Sequence, residues 1–394
     1  MTRPEALPTG GAETGTPPAD LRVRLGPAPD EAELGRRWAA LESGTECSFF
    51  QSWTYTGCLL RERFPDPILL EAHAGETPIA LALFNRRRER FGAECLLLGE
   101  SGIASFDTAF IEHNGPLVAR GSTPSVLPHL LRAAIAQRLA PWPMPGGRRV
   151  VLSGVNDEML AAARASGLAM ALRGTRLAPA IDLARLRRDG IGVLDRLSAN
   201  TRYQLRRSER RFSASGPVAI RRAADAAEGH RWLGALAALH QRTWQSRGQP
   251  GAFAYENFRR FHHALIDRGL PLGQVDLLEV SAGSRCLGYL LNFVFRGTVY
   301  AYQSGFDYVL ADRHEKPGLT AHHQAIEMYL REGLERYDFL GGAERYKTSL
   351  ADAASRLHWA VLAAPWSAPG MLFRLRHGYS AIAAGLGREA SRER

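Results

Sequence analysis

The chain has 394 residues, which is room for two or three domains of ordinary size. Its composition, 45% hydrophobic and 23% charged, is typical of a globular protein, and no apolar run approaches the ~18 residues that a membrane-spanning helix needs. These values exclude a disordered, fibrous or membrane-integral chain, so we expect a cytoplasmic protein. The net charge of +10 favours an anionic partner, such as a phosphorylated cofactor or a nucleic acid.

Arginine supplies nearly all of the positive charge. Of the 50 basic residues 48 are arginine, and the two lysines are Lys316 and Lys347. Where arginine is the default cation, a position that keeps lysine is a candidate for chemistry that needs a compact, titratable ammonium group. We therefore treat both lysines as candidate functional residues.

No metal site or disulfide framework is predicted. The four cysteines are scattered and form no CxxC pair. The histidine pairs His262-His263 and His322-His323 consist of adjacent residues, which point to different sides of a helix and cannot share a metal ion. The cysteines are therefore interpreted as buried apolar residues.

A seven-residue pattern occurs twice in the chain, at 69–75 and again at 277–283, with five identical positions. Each copy ends at a glycine and is followed by a second apolar run, which predicts a β-hairpin. In the first half the strand-like runs and one helix follow in the order 67–73, 78–84, 94–99, helix 124–139 and strand 149–152. In the second half the order is 275–281, 286–295, 298–304, helix 318–332 and strands 337–340 and 357–363.

The repeated order predicts an α/β (α+β) fold of two tandem domains, each a mixed, mostly antiparallel sheet flanked by helices. The first half has a long insertion at 100–121 between its third strand and its helix. The second half has a shorter, charged loop at 305–318 that contains Lys316, so we place the chemistry there and treat the first half as a platform. The expected parts are a disordered tail 1–20, domains 21–180 and 181–366, and a basic helical tail 367–394.

Two segments of the second half have patterns that suit an anion. Pro317 and Gly318 begin a predicted helix next to Lys316, and free amides at a helix start attract negative charge, although an ordinary capped helix has the same pattern. Residues 198–212 predict a helix with arginines on one stripe. That stripe is either a solvated face or the lining of an anion-binding groove.

Several of these segments together resemble one family, the GNAT-superfamily acetyltransferases of the CelD/BcsL type. They are also called BioF2-like domains and are relatives of the FemAB peptidyltransferases. The resemblance covers roughly residues 21–365. It rests on Asn114-Gly115-Pro116-Leu117, on Tyr302-Gln303-Ser304-Gly305-Phe306-Asp307, on the Pro317-Gly318 helix start and above all on Tyr337-Asp338-Phe339-Leu340-Gly341-Gly342-Ala343-Glu344-Arg345-Tyr346-Lys347.

The resemblance implies two GNAT-type halves, of which the second binds an acyl donor between two splayed strands. The donor phosphates would lie at the helix start. The donor-binding residues implied in this way are Gln303, Ser304, Gly305, Lys316, Gly318, Leu319 and Thr320. The sequence has Arg313-His314-Glu315-Lys316-Pro317-Gly318 where typical acetyltransferases have a Q/R-x-x-G-x-G/A loop, so both acyl-CoA and an aminoacyl-tRNA remain as donors.

The resemblance also implies roles for residues near the last strand. Lys347 occupies the place of a lysine that matters for transfer in FemAB relatives, and we expect it to stabilise developing negative charge. Tyr346 would hydrogen-bond the leaving group, and Asp338 or Glu344 would accept a proton. A purely structural ion pair of Lys347 with Asp338 or Glu344 is the alternative. Substrate-binding residues are expected on the arginine stripe, at Arg202 and Arg206.

Three functional hypotheses follow. The leading one is a cytoplasmic acyltransferase that moves an acyl group, in the first place acetyl, from acyl-CoA to an amine or hydroxyl acceptor in cellulose, exopolysaccharide or envelope biosynthesis. The second is a FemAB-like transferase that depends on aminoacyl-tRNA. The third is a catalytically idle binding module of a polysaccharide-synthesis assembly. None of them calls for a tightly bound cofactor, a metal, DNA or integral membrane association.

Overall fold

A computed structural model describes residues 16–89, 92–107, 111–139, 146–309, 311–342 and 344–375. The strands are β1 Leu21–Pro27, β2 Pro67–Ala74, β3 Thr77–Arg88, β4 Glu94–Leu98, β5 Leu117–Val118, β6 Arg148–Val155, β7 Ala169–Asp182, β8 Val218–Arg222, β9 Val275–Ala282, β10 Arg285–Phe295, β11 Thr298–Phe306, β12 Arg336–Asp338 and β13 Ala353–Ala363. The helices are α1 Glu31–Ser43, α2 Trp53–Glu62, α3 Thr123–Ala136, α4 Asp157–Ala165, α5 Leu183–Asp189, α6 Ala199–Phe212, α7 Ala226–Gln245, α8 Glu256–Gly269, α9 Pro317–Arg331 and α10 Arg345–Leu350. None of the helices in these residues has the length and apolar character needed to cross a bilayer.

The two halves repeat one order of elements, as the sequence predicts. Each half consists of a strand, two helices, a hairpin, a strand, a helix, a strand, a helix and a final strand. This order runs from β1 to β7, where the short β5 is additional, and again from β8 to β13. The predicted hairpins β2-β3 and β9-β10 are confirmed, and they turn at Gly75 and Gly283, whose φ angles are 58° and 57°. This left-handed conformation favours glycine, which explains why the repeated pattern ends on it.

Local signals set the helices that later line the site. The Ser198 hydroxyl accepts a hydrogen bond from the Thr201 N–H and so caps α6, as its sequence predicts. Pro317 is the first residue of α9, where its missing N–H costs nothing. The segment around Lys347 forms the short helix α10.

One sheet runs through both halves, in the order β1-β2-β3-β4-β6-β13-β7-β12-β11-β10-β9-β8, and β5 pairs with β3. Most pairs are antiparallel, and β4·β6 and β11·β12 are parallel. The final strands are exchanged between the halves: β13 pairs with β6, and β7 pairs with β12. The predicted domain boundary at residue 180 therefore falls inside β7, and the division into two domains stays a prediction because each half completes the sheet of the other.

A shared core fixes the two halves relative to each other. The helices α1, α2, α7 and α8 contribute to one apolar cluster that crosses from the first half to the second. In this cluster Phe49 stacks on Phe293, with ring centroids 4.3 Å apart. Separate clusters cover the opposite face of the sheet under α3 and α9. Leu117 of the first-half insertion belongs to the shared cluster.

The sheet of the second half splits where β12 ends. Strand β11 pairs with β12 only over residues 298–300, opposite 336–338, and from Ala301 to Phe306 it stays paired with β10 on its other edge. The chain beyond Asp338 follows β7 instead: Phe339 N–H donates to the Pro179 carbonyl and Gly342 N–H to the Leu177 carbonyl. The edge of β11 over residues 301–306 thus faces a gap, which we call the second split.

Candidate functional site

Two cavities meet at the second split. The first chamber, of about 600 Å³, lies between α6, α7 and the start of α9. The second chamber, of about 420 Å³, extends from the split toward β7 and the first-half insertion. The residues that line both are His240, Trp244, Tyr302, Gln303, Ser304, His322, Glu344, Tyr346 and Lys347.

Lys347 lies at the junction of the two chambers. Its Nζ donates to the Gly341 carbonyl at 3.0 Å and lies 3.3 Å from Glu344 Oε2. The Glu344 side chain is 58% exposed, so this ion pair is worth little. An ammonium group has three N–H donors, and these two contacts leave one for a ligand.

His322 and Tyr346 stack at the same junction, with ring centroids 5.1 Å apart. Burial, together with the charge of Lys347, lowers the pKa of His322 to about 3, so its imidazole is neutral. Tyr337 Oη lies 2.9 Å from His322 Nδ1, and burial raises the pKa of Tyr337, so the phenol keeps its proton and donates it to Nδ1. The hydrogen of His322 is then on Nε2, which has no hydrogen-bond partner among the described residues.

Tyr302 forms a fixed wall of both chambers. Its hydroxyl lies 3.2 Å from His262 Nε2, while His262 Nδ1 lies 2.6 Å from the Phe258 carbonyl. Burial lowers the pKa of His262 to about 3, so Nδ1–H donates to that carbonyl and Nε2 accepts from the tyrosine. The hydroxyl of Tyr302 is thereby used in holding the ring in place.

Glu112 enters the second chamber from the first half. Its side chain is buried, and its carboxylate accepts a hydrogen bond from the Gly341 N–H. Burial raises the pKa of Glu112, and this hydrogen bond and the charge of Lys347 oppose the rise only in part. The sequence places this segment in the platform half and does not mark Glu112 as a site residue; the nearest signal is the Asn114-Gly115-Pro116-Leu117 stretch, which begins two residues later.

Comparisons with known proteins give one family match and several matches of fold. Residues 199–348 match the family model described as an acetyltransferase (GNAT) domain. This part of the chain is similar to GNAT acetyltransferase domains. The crystal structure of FemX matches with a TM-score of 0.54 and 10% identity, over 86% of this chain and 96% of that one. The C-terminal domain of a protein described as a lysylphosphatidylglycerol synthetase, from Agrobacterium fabrum, matches with a TM-score of 0.52 and 10% identity, over 88% and 96%.

At this level of identity, FemX and the synthetase domain share the fold with this chain, and their activities do not transfer to it. No curated protein matches the chain significantly. The assignment to the GNAT superfamily and the relation to FemAB-type folds, predicted from the sequence, are therefore confirmed. The finer likeness to CelD/BcsL and BioF2-like proteins stays a prediction.

Most of the predicted donor-binding residues of the GNAT domain line the first chamber: Gln303, Ser304, Lys316, Gly318 and Leu319. Thr320 does not, because it is buried with its hydroxyl 2.9 Å from Ser208 Oγ. Gly305 does not either. A Cβ there would come within 2.3 Å of the Leu236 carbonyl oxygen, so this glycine is needed for close packing of β11 against α7.

The predicted substrate-binding residues Arg202 and Arg206 lie outside the two chambers. They line a separate surface depression on the outer face of α6. The inner face of the same helix, with Asn200, Thr201 and Gln204, lines the first chamber. The sequence predicts the helical periodicity of α6. The stripe that faces the first chamber is that of Asn200, Thr201 and Gln204, and the arginine stripe faces away from it.

Asp338, predicted as a possible proton acceptor, is sealed off from both chambers. Its carboxylate accepts from Arg336 at 3.2 Å and from the Leu340 N–H at 2.8 Å, and His113 Nε2 lies 3.4 Å away. Burial alone would raise the pKa of Asp338, but His113, Arg336 and this N–H hold it below its ordinary value. Asp338 is thus placed as a structural anchor of the split, and the ion pair that Lys347 makes is with Glu344.

Proposed function

We propose that the protein transfers an acyl group, acetyl in the simplest case, from acyl-CoA to an amine or hydroxyl acceptor. The observation that carries this proposal is the meeting of two chambers at Lys347, Tyr346 and His322. A transfer reaction needs two substrates whose reactive groups approach from different sides of one catalytic centre. Polysaccharide or envelope biosynthesis, the setting suggested by the CelD/BcsL resemblance, is part of the proposal.

The first chamber suits the donor. It follows the free edge of β11 at Gln303 and Ser304, where an unpaired strand edge offers hydrogen bonds to the amides of a pantetheine arm. It ends at Lys316, Gly318 and Leu319, where the start of α9 offers positive charge and free amides to phosphates. The acceptor would then occupy the second chamber.

The residues at the junction suit an acyl transfer. When the acceptor nitrogen or oxygen attacks the thioester carbonyl, negative charge develops on the carbonyl oxygen. The free N–H of Lys347 and the Nε2–H of His322 are donors for that oxygen. Tyr346, whose pKa is raised by burial, keeps its proton and is able to hydrogen-bond the departing sulfur. Removing one such oxyanion donor typically lowers kcat by about 10²–10³.

Ligand-induced thermal stabilisation tests the donor. Saturation with acetyl-CoA at a hundred times Kd should stabilise the protein by about 2.7 kcal/mol. An intact-mass screen of acyl-CoAs against primary amines, amino sugars and hydroxylated glycans then identifies the transferred group and the acceptor. No stabilisation and no mass increase with any acyl-CoA would refute the proposal.

The outer face of α6 supports a second candidate, an aminoacyl-tRNA donor. Arg202, Arg206 and Arg210 lie along this face and form no ion pair with any described residue, while the inner face of α6 lines the first chamber. A phosphate backbone on this surface would bring an aminoacyl ester to the chamber. Stabilisation by charged tRNA that falls steeply with salt, without stabilisation by acetyl-CoA, would favour this donor. The acyltransferase domain argues against the third hypothesis, an idle binding module.

A further inference from the structure

We propose that Glu112, supplied by the first half, is the catalytic residue that accepts the proton of the acceptor nucleophile. This inference rests on the proposed transfer reaction. It also gives the first half a direct part in the chemistry of the second, beyond that of a platform.

The position of Glu112 is the first argument. It lines the second chamber and not the first, so it lies on the acceptor side of the junction. Gly341 connects it to the reactive centre, because the N–H of Gly341 donates to Glu112 while the carbonyl of Gly341 accepts from Lys347 Nζ. The carboxylate of Glu112 and the ammonium group of Lys347 therefore flank Gly341. An acceptor atom in the second chamber lies near both groups.

Close packing keeps the carboxylate in this place. A Cβ on Gly341 would lie 2.4 Å from Glu112 Oε1, so any larger residue at 341 would displace the glutamate. Gly154, with φ 64°, packs against the same segment, and a Cβ there would lie 1.9 Å from the Ile111 carbonyl oxygen. The two glycines thus make room, Gly154 for the backbone at Ile111 and Gly341 for the carboxylate of Glu112.

The other titratable groups at the site are less suitable as proton acceptors. Asp338 does not reach either chamber, and Glu344 is half-exposed and paired with Lys347. His322 already accepts from Tyr337 at Nδ1 and carries its hydrogen on Nε2. Burial lowers the pKa of His240 to about 4, which makes it a weak base.

The electrostatic surroundings suit a general base. Burial raises the pKa of Glu112, and the negative Asp338 adds to the rise. The Gly341 N–H, Lys347 and His113 lower it, and Arg176 of β7 also lines the chamber. The net direction is upward, and a carboxylate with a raised pKa is a stronger base near neutral pH.

The proton balance of the step is complete. The acceptor nitrogen or oxygen forms a bond to the carbonyl carbon, and its proton passes to the Glu112 carboxylate. The tetrahedral intermediate then collapses, the carbon–sulfur bond breaks and coenzyme A leaves as a thiolate. The thiolate takes up one proton and Glu112 releases one, so no net proton is gained or lost.

The test compares Glu112→Gln with Glu100→Gln. Glutamine keeps the shape and an oxygen for the Gly341 N–H but cannot accept a proton. Release of free thiol from acetyl-CoA is measured first with water as acceptor and then with the best amine of the wild type. Glu112→Gln should lower the rate by about 10²–10⁴-fold while leaving acetyl-CoA affinity unchanged. Glu100, a glutamate of the same insertion that bonds to Ser153 Oγ and lines neither chamber, is the matched control and should leave the rate unchanged.

The pH profile separates a chemical role from a structural one. Glu112 must be ionised to accept a proton, so the wild-type rate should rise as pH increases through its raised pKa, and Glu112→Gln should lose this limb. Glu112→Asp, which keeps a carboxylate, should be slower but retain the limb. An active Glu112→Gln, or an unchanged limb in that variant, overturns the inference. A wild type that does not release thiol from any acyl-CoA overturns the proposed function instead.

Discussion

The two halves contain the same parallel strand pair and use it in opposite ways. In the first half β4 pairs with β6 along its whole length, from Glu94 to Leu98. Asn114 fills the space beyond, where its Nδ2 donates to the Leu98 and Ser153 carbonyls. In the second half the pair β11·β12 is shorter, and the chain leaves it through Gly341 and Gly342.

The comparison shows that the segment which closes the first half also supplies side chains to the second split. The segment 111–115 that plugs the first half also carries Glu112 into the second chamber and His113 to within 3.4 Å of Asp338. A duplicated fold can thus keep one reactive copy and use the second copy as a source of side chains. The predictions below test this asymmetry, from the largest expected effect to the smallest.

The two lysines test where in the second split the reaction takes place, because Lys347 lies at the junction and Lys316 at the start of α9. Lys347→Ala should lower kcat by about 10²–10³-fold, because an oxyanion donor is lost, with little change in Tm. Lys316→Ala is the matched control: its Nζ bonds only to the Arg313 carbonyl among the described residues, and the variant should raise KM for the donor without a comparable loss of kcat. Parallel losses of activity and Tm in Lys347→Ala would indicate a structural lysine.

We expect the segment 111–115, which fills the space beyond β4 and β6 in the first half, to affect activity. Asn114→Ala leaves two buried carbonyls without a donor, so we expect a loss of about 1–3 kcal/mol in the free energy of unfolding. The rate should also fall by about 10²-fold, because a small displacement of Glu112 misplaces a reacting group. Asn85→Ala is the control, since Asn85 is also buried and its Nδ2 donates to the Ser101 carbonyl at the other end of the same insertion. Equal rate losses in the two variants would contradict the coupling.

Asp338 should affect stability in a pH-dependent way. Its pKa is lowered in the folded state, so its contribution is complete above the pKa of an unfolded aspartate and is lost as pH falls through the folded value. Asp338→Asn should therefore lower Tm at neutral pH, and the wild-type and variant curves should converge in acid. A difference in Tm that does not change with pH would show that the charge of Asp338 plays no part.

The arginines of α6 should have the smallest effect if acyl-CoA is the donor. The double variant Arg202→Ala/Arg206→Ala removes charge from the outer face of the helix and leaves the lining of the first chamber intact. We expect unchanged acetyl-CoA affinity by calorimetry at low and moderate salt. A strong, salt-dependent loss of donor binding would place the donor on the outer face and favour a tRNA.

Local patterns in the sequence predict much of the fold. Alternating apolar runs that end at Gly75 and Gly283 are sufficient for the hairpins, and Pro317 marks the start of α9. The scarcity of lysine identifies Lys347, which does lie at the junction. The exchange of β7 and β13 is not predictable in this way, because strand composition does not determine which distant strand is the partner.

The missed site residues depend on tertiary packing. The sequence predicts that His322 and His323 point to different sides of a helix, and they do: His323 Nδ1 bonds to Glu209 while His322 faces the junction. Which of the two faces a cavity depends on where α9 packs. Glu112 is more than 200 residues from Lys347 along the chain, so only the folded molecule brings them together. The predicted tails fall largely on residues 1–15 and 376–394, outside the described residues; residues 368–375 are helical.

The strand exchange has a consequence for how the chain is made. Strand β13, which follows all the other strands along the chain, is inserted into the middle of the sheet between β6 and β7. Until then both neighbours have open edges that are able to pair with other chains. Contacts between such distant segments also give a high contact order, which slows folding. Strand β13 must therefore be synthesised before the sheet of the first half is complete, and a chain that stops after α6 would leave the edge of β6 without this partner.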